Sequence, residues 1–368
     1  MHITVLQENL QKALGVVGKA VAARAQLPVL SNILIQTESG RLKLAATNLE
    51  TTMTCWIGAQ IEEEGSITVP ARFLIDLVNS FSPDKVVISG LGSQMKLVCG
   101  ESEATLTGID ASEFPPLPEV GDKKDLVLEK NVLVGGLPFV LISASTDESR
   151  AFLTGVKFLE KENDLLMVAT DGYRLSVKKL PKAPGFSEGF LVPAKALAEA
   201  VRLTEGSDKD TIDVFLSRDK NQIIFSLENA QIATRLIEGD YPPFERIIPK
   251  SFTTQVIFDR TQLLRAVKFA SVYAKESANI LKMHIENSNV IVSANSPQVG
   301  ENKTVLSVQQ DGEGGDIAFN ARFLLDLLAV FPDSEVQFEM SGALSPGVFK
   351  SVKDPSYLHI IMPVRVQG

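Results

Sequence analysis

Residues 71–81 read ARFLIDLVNSF and residues 321–331 read ARFLLDLLAVF, identical at seven of eleven positions with a constant offset of 250. A repeat of this kind constrains the fold more than any single motif, because each copy must be one supersecondary unit of like topology. Each copy follows a strand-like stretch, SITVP (66–70) and DIAFN (316–320), so the repeated element is a strand running into a helix. FLVPAKALAEAV (190–201) is a weaker third copy, with Pro193-Ala194 matching Pro70-Ala71 at an offset of 123. A second marker recurs in LKLAATNLE (42–50), LLMVATDGY (165–173) and, more faintly, NVIVSANSP (289–297); it aligns Asn48, Asp171 and Asn295. FPPLPEV (114–120) and YPPFERIIP (241–249) are extended proline-rich runs that close one unit and lead into the next. Helix-like segments open the units at 7–23, 129–145 and 259–275, which sets expected domains at 1–125, 126–250 and 251–368.

Within each unit the coarse order is helix, two or three strands, a strand entering a second helix, then more strands. Short β-branched runs closed by turn residues, such as VVISGLGSQMKLVCG (86–100), carry the strand assignments. The helices are too few for a doubly wound parallel sheet. The fold class is therefore α+β: three tandem copies of an antiparallel sheet backed by two helices. A length of 368 residues, 45% of them hydrophobic, supplies cores for that many domains.

Helical periodicity separates a buried face from a charged one. In 7–23 the apolar stripe is Leu10, Ala13, Leu14, Val17 and Val21, with Lys12 and Lys19 opposite. In 259–275 it is Leu263, Ala266, Val267, Ala270 and Ala274, with Arg265, Lys268 and Lys275 opposite. In 71–81 the stripe is Phe73, Leu74, Leu77 and Phe81, opposite Arg72 and Asn79; Phe323, Leu324, Leu327 and Phe331 repeat it, with Arg322 in place of Arg72. Arg24, Arg150, Lys195 and Arg202 complete the candidate phosphate-facing set. A single lysine on a solvated helix face is ordinary. Cations recurring at matched positions in a chain of net charge −9 point to a segregated positive wall facing a polyanion. No recognition-helix motif, aromatic stacking platform or zinc-finger spacing accompanies it, so contact with DNA is expected to be independent of sequence.

Other chemistries find little support. GLGS (90–93) lacks the third glycine and following helix of a dinucleotide site, and no phosphate-binding G-x-x-x-x-G-K-[ST] run occurs. His2, His284 and His359 are scattered, and Cys55 and Cys99 lack partners at metal spacing, so no metal or other cofactor is expected. Asp171 aligns with asparagines, which indicates a turn-forming side chain rather than a catalytic acid. The first residues carry no basic segment followed by an apolar stretch, and no apolar run approaches the roughly 18 residues of a membrane span. A reduced, cytoplasmic protein without membrane partners is expected.

LPVLSNILI (27–35), ATNLE (46–50), VPAR (69–72), ATDGYRL (169–175), YPPFERIIP (241–249) and MPVR (362–365) together resemble the beta sliding clamps of bacterial replicative DNA polymerase, across essentially the whole chain. The resemblance implies a non-catalytic processivity factor. Two protomers join head to tail into a ring of six domains, helices lining a hole filled by duplex DNA and sheets outside. A clamp loader must open the ring. The replicative polymerase alpha subunit, translesion and repair polymerases, and mismatch-repair and ligase proteins would share one peptide pocket between the second and third domains. Carried over motif by motif, that pocket comprises Leu153, then Thr170, Gly172, Tyr173, Arg174 and Leu175. It continues through Pro242, Arg246 and Ile247 to Met362, Pro363, Val364 and Arg365, with Pro346 nearby. Leu106 would meet Val272 and Tyr273 of a second protomer. Tyr173 stands where relatives often carry histidine, Val364 and Val366 replace larger side chains, Gln367-Gly368 extend the end, and Ala104 replaces an aromatic. Two other readings are a DNA-binding protein that forms no ring and a hydrolase using Asp171 and Arg174.

Overall fold

The computed structural model describes residues 1–368 apart from 23–26, 122–123, 162–163, 182–188, 206, 208, 218–220 and 366–368, and apart from the side chains of Val132 and Pro181. Arg24, Val366, Gln367 and Gly368 thus lie outside the described residues.

The first copy runs β1 (His2–Leu6), α1 (Gln7–Val17), β2 (Asn32–Glu38), β3 (Arg41–Thr47), β4 (Thr51–Gly58), β5 (Gln60–Glu63), β6 (Ser66–Pro70), α2 (Ala71–Ser80), β7 (Lys85–Leu91), β8 (Gln94–Cys99) and β9 (Ser102–Thr107). The second runs β10 (Leu126–Glu129), α3 (Lys130–Leu141), β11 (Gly155–Lys161), β12 (Asp164–Thr170), β13 (Arg174–Pro181), β14 (Phe190–Pro193), α4 (Ala194–Glu205), β15 (Thr211–Leu216), β16 (Gln222–Ser226) and β17 (Ala230–Arg235). The third runs β18 (Thr254–Asp259), α5 (Arg260–Ala274), β19 (Ile280–Glu286), β20 (Asn289–Ser296), β21 (Gly300–Ser307), β22 (Gln309–Gly312), β23 (Gly315–Asn320), α6 (Ala321–Val330), β24 (Glu335–Met340), β25 (Gly347–Ser351) and β26 (Tyr357–Ile361).

Each copy opens with a short strand before its first helix, which the helical pattern alone did not separate. In the first copy the reason is local. HITVL passes straight into the helix with no turn residue, and the N-cap position is Leu6 in extended conformation without a side-chain cap. The helix also ends sooner than expected, at Val17, followed by a tight 3₁₀ turn over Gly18–Ala20.

The described residues form two compact units. Met1–Asn131 and Lys195–Leu236 make the first; Val132–Ala194 and Ile237–Gly368 make the second. The second copy is divided between them because backbone hydrogen bonding runs through the copy boundaries. In the first unit β17 pairs antiparallel with β4, giving an eight-stranded sheet ordered β10-β15-β16-β17-β4-β3-β2-β6 beside a five-stranded sheet β5-β1-β7-β8-β9. In the second unit β26 pairs antiparallel with β13, giving β14-β11-β12-β13-β26-β25-β24-β18-β22 beside a four-stranded sheet β21-β20-β19-β23.

Burial follows the expected stripes on α1 (Leu10, Ala13, Leu14, Val17) and α5 (Leu263, Ala266, Val267, Ala270, Ala274). On α2 the stripe is displaced. Ala71, Leu74 and Val78 are buried at i, i+3 and i+7, whereas Phe73 lies off that line and is 63% exposed. The matching Phe323 of α6 is half-buried, and Leu324, Leu327, Leu328 and Phe331 are buried.

Candidate functional site

The turn between β12 and β13 is built by its own side chains. Asp171 Oδ1 accepts from the backbone N–H groups of Tyr173 and Arg174 at 2.8 and 2.9 Å. Asn48 does the same in the first copy, accepting from Glu50 and Thr51 at 3.0 and 2.7 Å. The expectation of a turn-forming residue holds at both positions. Gly172 takes φ +90°, a conformation glycine adopts freely; its counterpart Leu49 is held at φ +73°. Asn295 differs, lying within β20 opposite Glu301.

Around that turn the second unit assembles most of the expected pocket. Arg174 heads β13, and β26 pairs with it so that Ile361 lies opposite Arg174 and Ile360 opposite Leu175. The chain beyond β26 is tied back twice, Met362 N–H donating to Tyr173 O and Val364 N–H to Ala318 O, each at 2.8 Å. Residues 242–247 are anchored by Phe244, which is buried in one apolar cluster with Leu175, Val348 and Ile360. A single cluster therefore positions the 170–175, 242–247 and 360–365 segments. It leaves Tyr173 (60%), Ile247 and Met362 exposed, Arg246 and Arg365 in solvent, and Pro242, Pro346, Pro363 and Val364 half-buried. Leu153, Thr170 and Leu175 are themselves buried and serve as packing beneath the surface. Arg150 sits beside the turn rather than on a helix face: its guanidinium abuts Gly172 and its Nε is 3.5 Å from Asp147.

Arg174 is tightly held. Its Nε donates to Asp171 at 3.0 Å, its Nη1 donates to Asp326 at 2.7 Å, and its guanidinium stacks 4.5 Å from the centroid of the Phe323 ring. Asp171 is thus committed to two backbone donors and an arginine, an arrangement that fixes a turn and leaves no general acid. Phe323 and Asp326 were missed by motif matching. Their three-residue separation on α6, which puts both on one face, was the available signal.

Beneath Arg174 lies a buried polar chain in which Ser143 Oγ and Ser176 Oγ are 2.8 Å apart and Ser176 Oγ is 2.8 Å from His359 Nδ1. His359 Nε2 has no hydrogen-bond partner among the described residues. Burial, reinforced by the positive charge of Arg174, pushes the His359 pKa down to about 3. The folded protein thus keeps His359 neutral while the unfolded chain takes up a proton below about pH 6.5. Stability must fall as pH drops through the window from 6.5 toward 3, by about 2 kcal/mol at pH 5 for this group. Urea unfolding of the wild type and of His359→Gln at pH 7 and pH 5 should show the acid loss shrinking in the variant; an equal loss in both would exclude His359 as its source.

Five of the candidate phosphate-facing cations fall at repeated positions. Arg72, Lys195 and Arg322 are the second residues of α2, α4 and α6, and all are exposed. Lys12 and Arg265 are the sixth residues of α1 and α5. Arg265, Lys268 and Lys275 are exposed and have no ion-pair partner among the described residues. Lys19 and Arg202 share Glu199 at 2.6 and 2.7 Å, so that pair is partly neutralised. Arg72 lies 3.9 Å from Asp76.

The proposed contact residues lie at strand and helix edges. Leu106 is half-buried on β9, Tyr273 is half-buried on α5, and Val272 is 61% exposed. Phe269 (53%), beside Tyr273, and Phe73 on α2, which helical patterning had placed on the buried stripe, add exposed apolar surface.

Three copies of an α+β unit, joined through antiparallel strand edges and carrying cations at matched helix positions, define a clamp-class protein. Residues 1–118, 128–243 and 245–365 match the DNA polymerase III beta subunit's N-terminal, central and C-terminal domains. The chain belongs to the DNA polymerase III beta-subunit family. It is 31% identical to the beta sliding clamp of Staphylococcus epidermidis RP62A over 379 aligned residues, covering 99% of both chains. The DNA polymerase sliding clamp from Bacillus subtilis superposes with a TM-score of 0.92 at 26% identity, covering all of both chains. The DNA polymerase III beta chain of Streptococcus pneumoniae TIGR4 superposes with a TM-score of 0.92 at 30% identity, covering 99% of this chain and 100% of that one. The family consists of processivity factors without catalytic activity. No helix among the described residues is long and apolar enough to cross a membrane.

Proposed function

We propose that two copies of this chain close head to tail into a cytoplasmic ring around duplex DNA, and that the pocket at Tyr173, Arg174 and Met362–Arg365 tethers the replicative polymerase. The carrying observation is which strand edges are joined and which are free. In each copy the strands order alike: β4-β3-β2-β6, β13-β12-β11-β14 and β21-β20-β19-β23 in one half, and β1-β7-β8-β9, β10-β15-β16-β17 and β18-β24-β25-β26 in the other. Matching edges are joined twice within the chain, β17 to β4 and β26 to β13. The remaining pair, β9 and β21, has no outer neighbour among the described residues. A second copy supplies it, β9 of one chain adding to β21 of the other, and two such joints close the structure. The same repeat sets α5, with Phe269 and Val272, against α2 of the second copy, with Phe73.

DNA held by topology needs only diffuse contact, so cations on the helices and a net charge of −9 are compatible. Opening the ring requires a clamp loader. The pocket combines exposed Met, Ile and Tyr side chains with arginines, which suits short apolar peptides of several related sequences, from replicative, translesion and repair polymerases to mismatch-repair and ligase proteins. Reversing Arg265 and Lys268 to glutamate tests the DNA-facing assignment. Loading onto primed circles by the cognate loader should weaken, and the slope of log affinity against log salt should flatten by about 1 per lost phosphate contact. An unchanged slope would place these residues away from DNA.

A further inference from the structure

The two strand joints differ in how they are filled. In the second unit Lys178 and Tyr357 lie opposite each other across β13 and β26. The buried Tyr357 ring packs 5.0 Å from Phe139 of α3, and Lys178 Nζ lies 5.3 Å from the Phe139 ring. In the first unit the residues at those positions are Cys55 and Ala230, paired across β4 and β17, with Val16 of α1 in place of Phe139. Three small side chains thus replace an aromatic plug. What remains is a cleft of about 660 Å³ bounded by α1, the end of α4 and the β16–β17 turn.

Its apolar floor is Ala13, Val16, Cys55, Leu203 and Leu227. Lys12, Arg41 and Arg202 line it as well, with Glu228 the one carboxylate among the described lining residues. Lys12 has no ion-pair partner among the described residues, and Arg41 donates to Asn229 at 3.4 Å. Arg202 is balanced by Glu199, which it shares with Lys19. A positive, apolar-floored cleft in an acidic chain selects an anion with an apolar body, and two guanidinium forks favour phosphate geometry.

We propose that this cleft is a phosphate-binding site, taking a phosphorylated ligand whose phosphate engages Lys12, Arg41 and Arg202 and whose apolar part covers Val16 and Cys55. The ligand is a free nucleotide rather than a strand: a duplex keeps its bases stacked inside and brings no apolar body to Val16 and Cys55, although Lys12 and Arg202 also belong to the DNA-facing set. The site does not depend on ring closure.

Trp56, the only tryptophan, lines the cleft and reports on it. Pyrophosphate, ADP and a short 5′-phosphorylated oligothymidylate are titrated separately into the full-length protein, followed by Trp56 fluorescence and by calorimetry. Saturable binding below about 1 mM by pyrophosphate or ADP is expected. Ala230→Tyr, which restores the second unit's plug, and Arg41→Gln should each weaken it about tenfold or more. Circular dichroism checks that Ala230→Tyr is folded, and Arg41→Gln decides the matter if it is not. Binding of pyrophosphate or ADP supports the site; binding of the oligonucleotide alone overturns it, because the DNA-facing cations suffice for a strand. No saturable binding by any probe, or affinity unchanged in the folded variants, overturns the proposal.

Discussion

Removing Met362–Gly368 is expected to abolish stimulation of the replicative polymerase, a loss of about 100-fold or more, while dimer and DNA encirclement survive. The segment begins after β26 ends at Ile361, so every pair between β26 and its neighbours β13 and β25 remains. What is lost is the wall tied to Tyr173 and Ala318, with the exposed Met362 and Arg365 that it carries. Anchor residues at a peptide interface contribute about 2–4 kcal/mol each, so the loss of one already approaches 100-fold in affinity. Primer extension on a primed circle measures the effect, and sedimentation verifies the dimer. Full stimulation by the truncated chain would remove the pocket from the 362–365 segment.

A second large effect is expected at the joint between copies. Val272 is 61% exposed, on the α5 surface that carries Phe269. Val272→Glu would bury a carboxylate against the partner's Phe73 at a cost of about 3 kcal/mol, raising the dimer dissociation constant about 100-fold. Sedimentation at micromolar protein should then show monomer. Val127→Glu, at another exposed valine on the edge strand β10, should remain dimeric as a control. A Val272→Glu dimer as tight as the wild type would mean that α5 does not form the joint.

The repeat at 71–81 and 321–331 made the three-copy α+β architecture legible, because an identical strand-to-helix passage can only recur on a recurring scaffold. The parallel roles of Asn48 and Asp171 were equally legible, since turn chemistry is local. Division into two units was not. It depends on β17 meeting β4 and β26 meeting β13, pairings whose partners lie far apart in sequence and leave no periodic signature. Phe73 was misplaced because a narrow stripe on a ten-residue helix tolerates a shift of one residue; its exposure fits the proposed partner surface. Motifs named the backbone segments of the candidate pocket, but the holders of Arg174, Phe323 and Asp326, came from a helix far along the chain.

Encirclement is tested most directly by comparing topology at constant chemistry. The protein is loaded onto a nicked circular plasmid, isolated in high salt, and the circle is then cut once. A ring should stay on the intact circle and leave after linearisation, because salt screens contacts but does not open a closed path. Equal loss from circle and line in high salt would show that ordinary surface binding, not a ring, holds this protein on DNA.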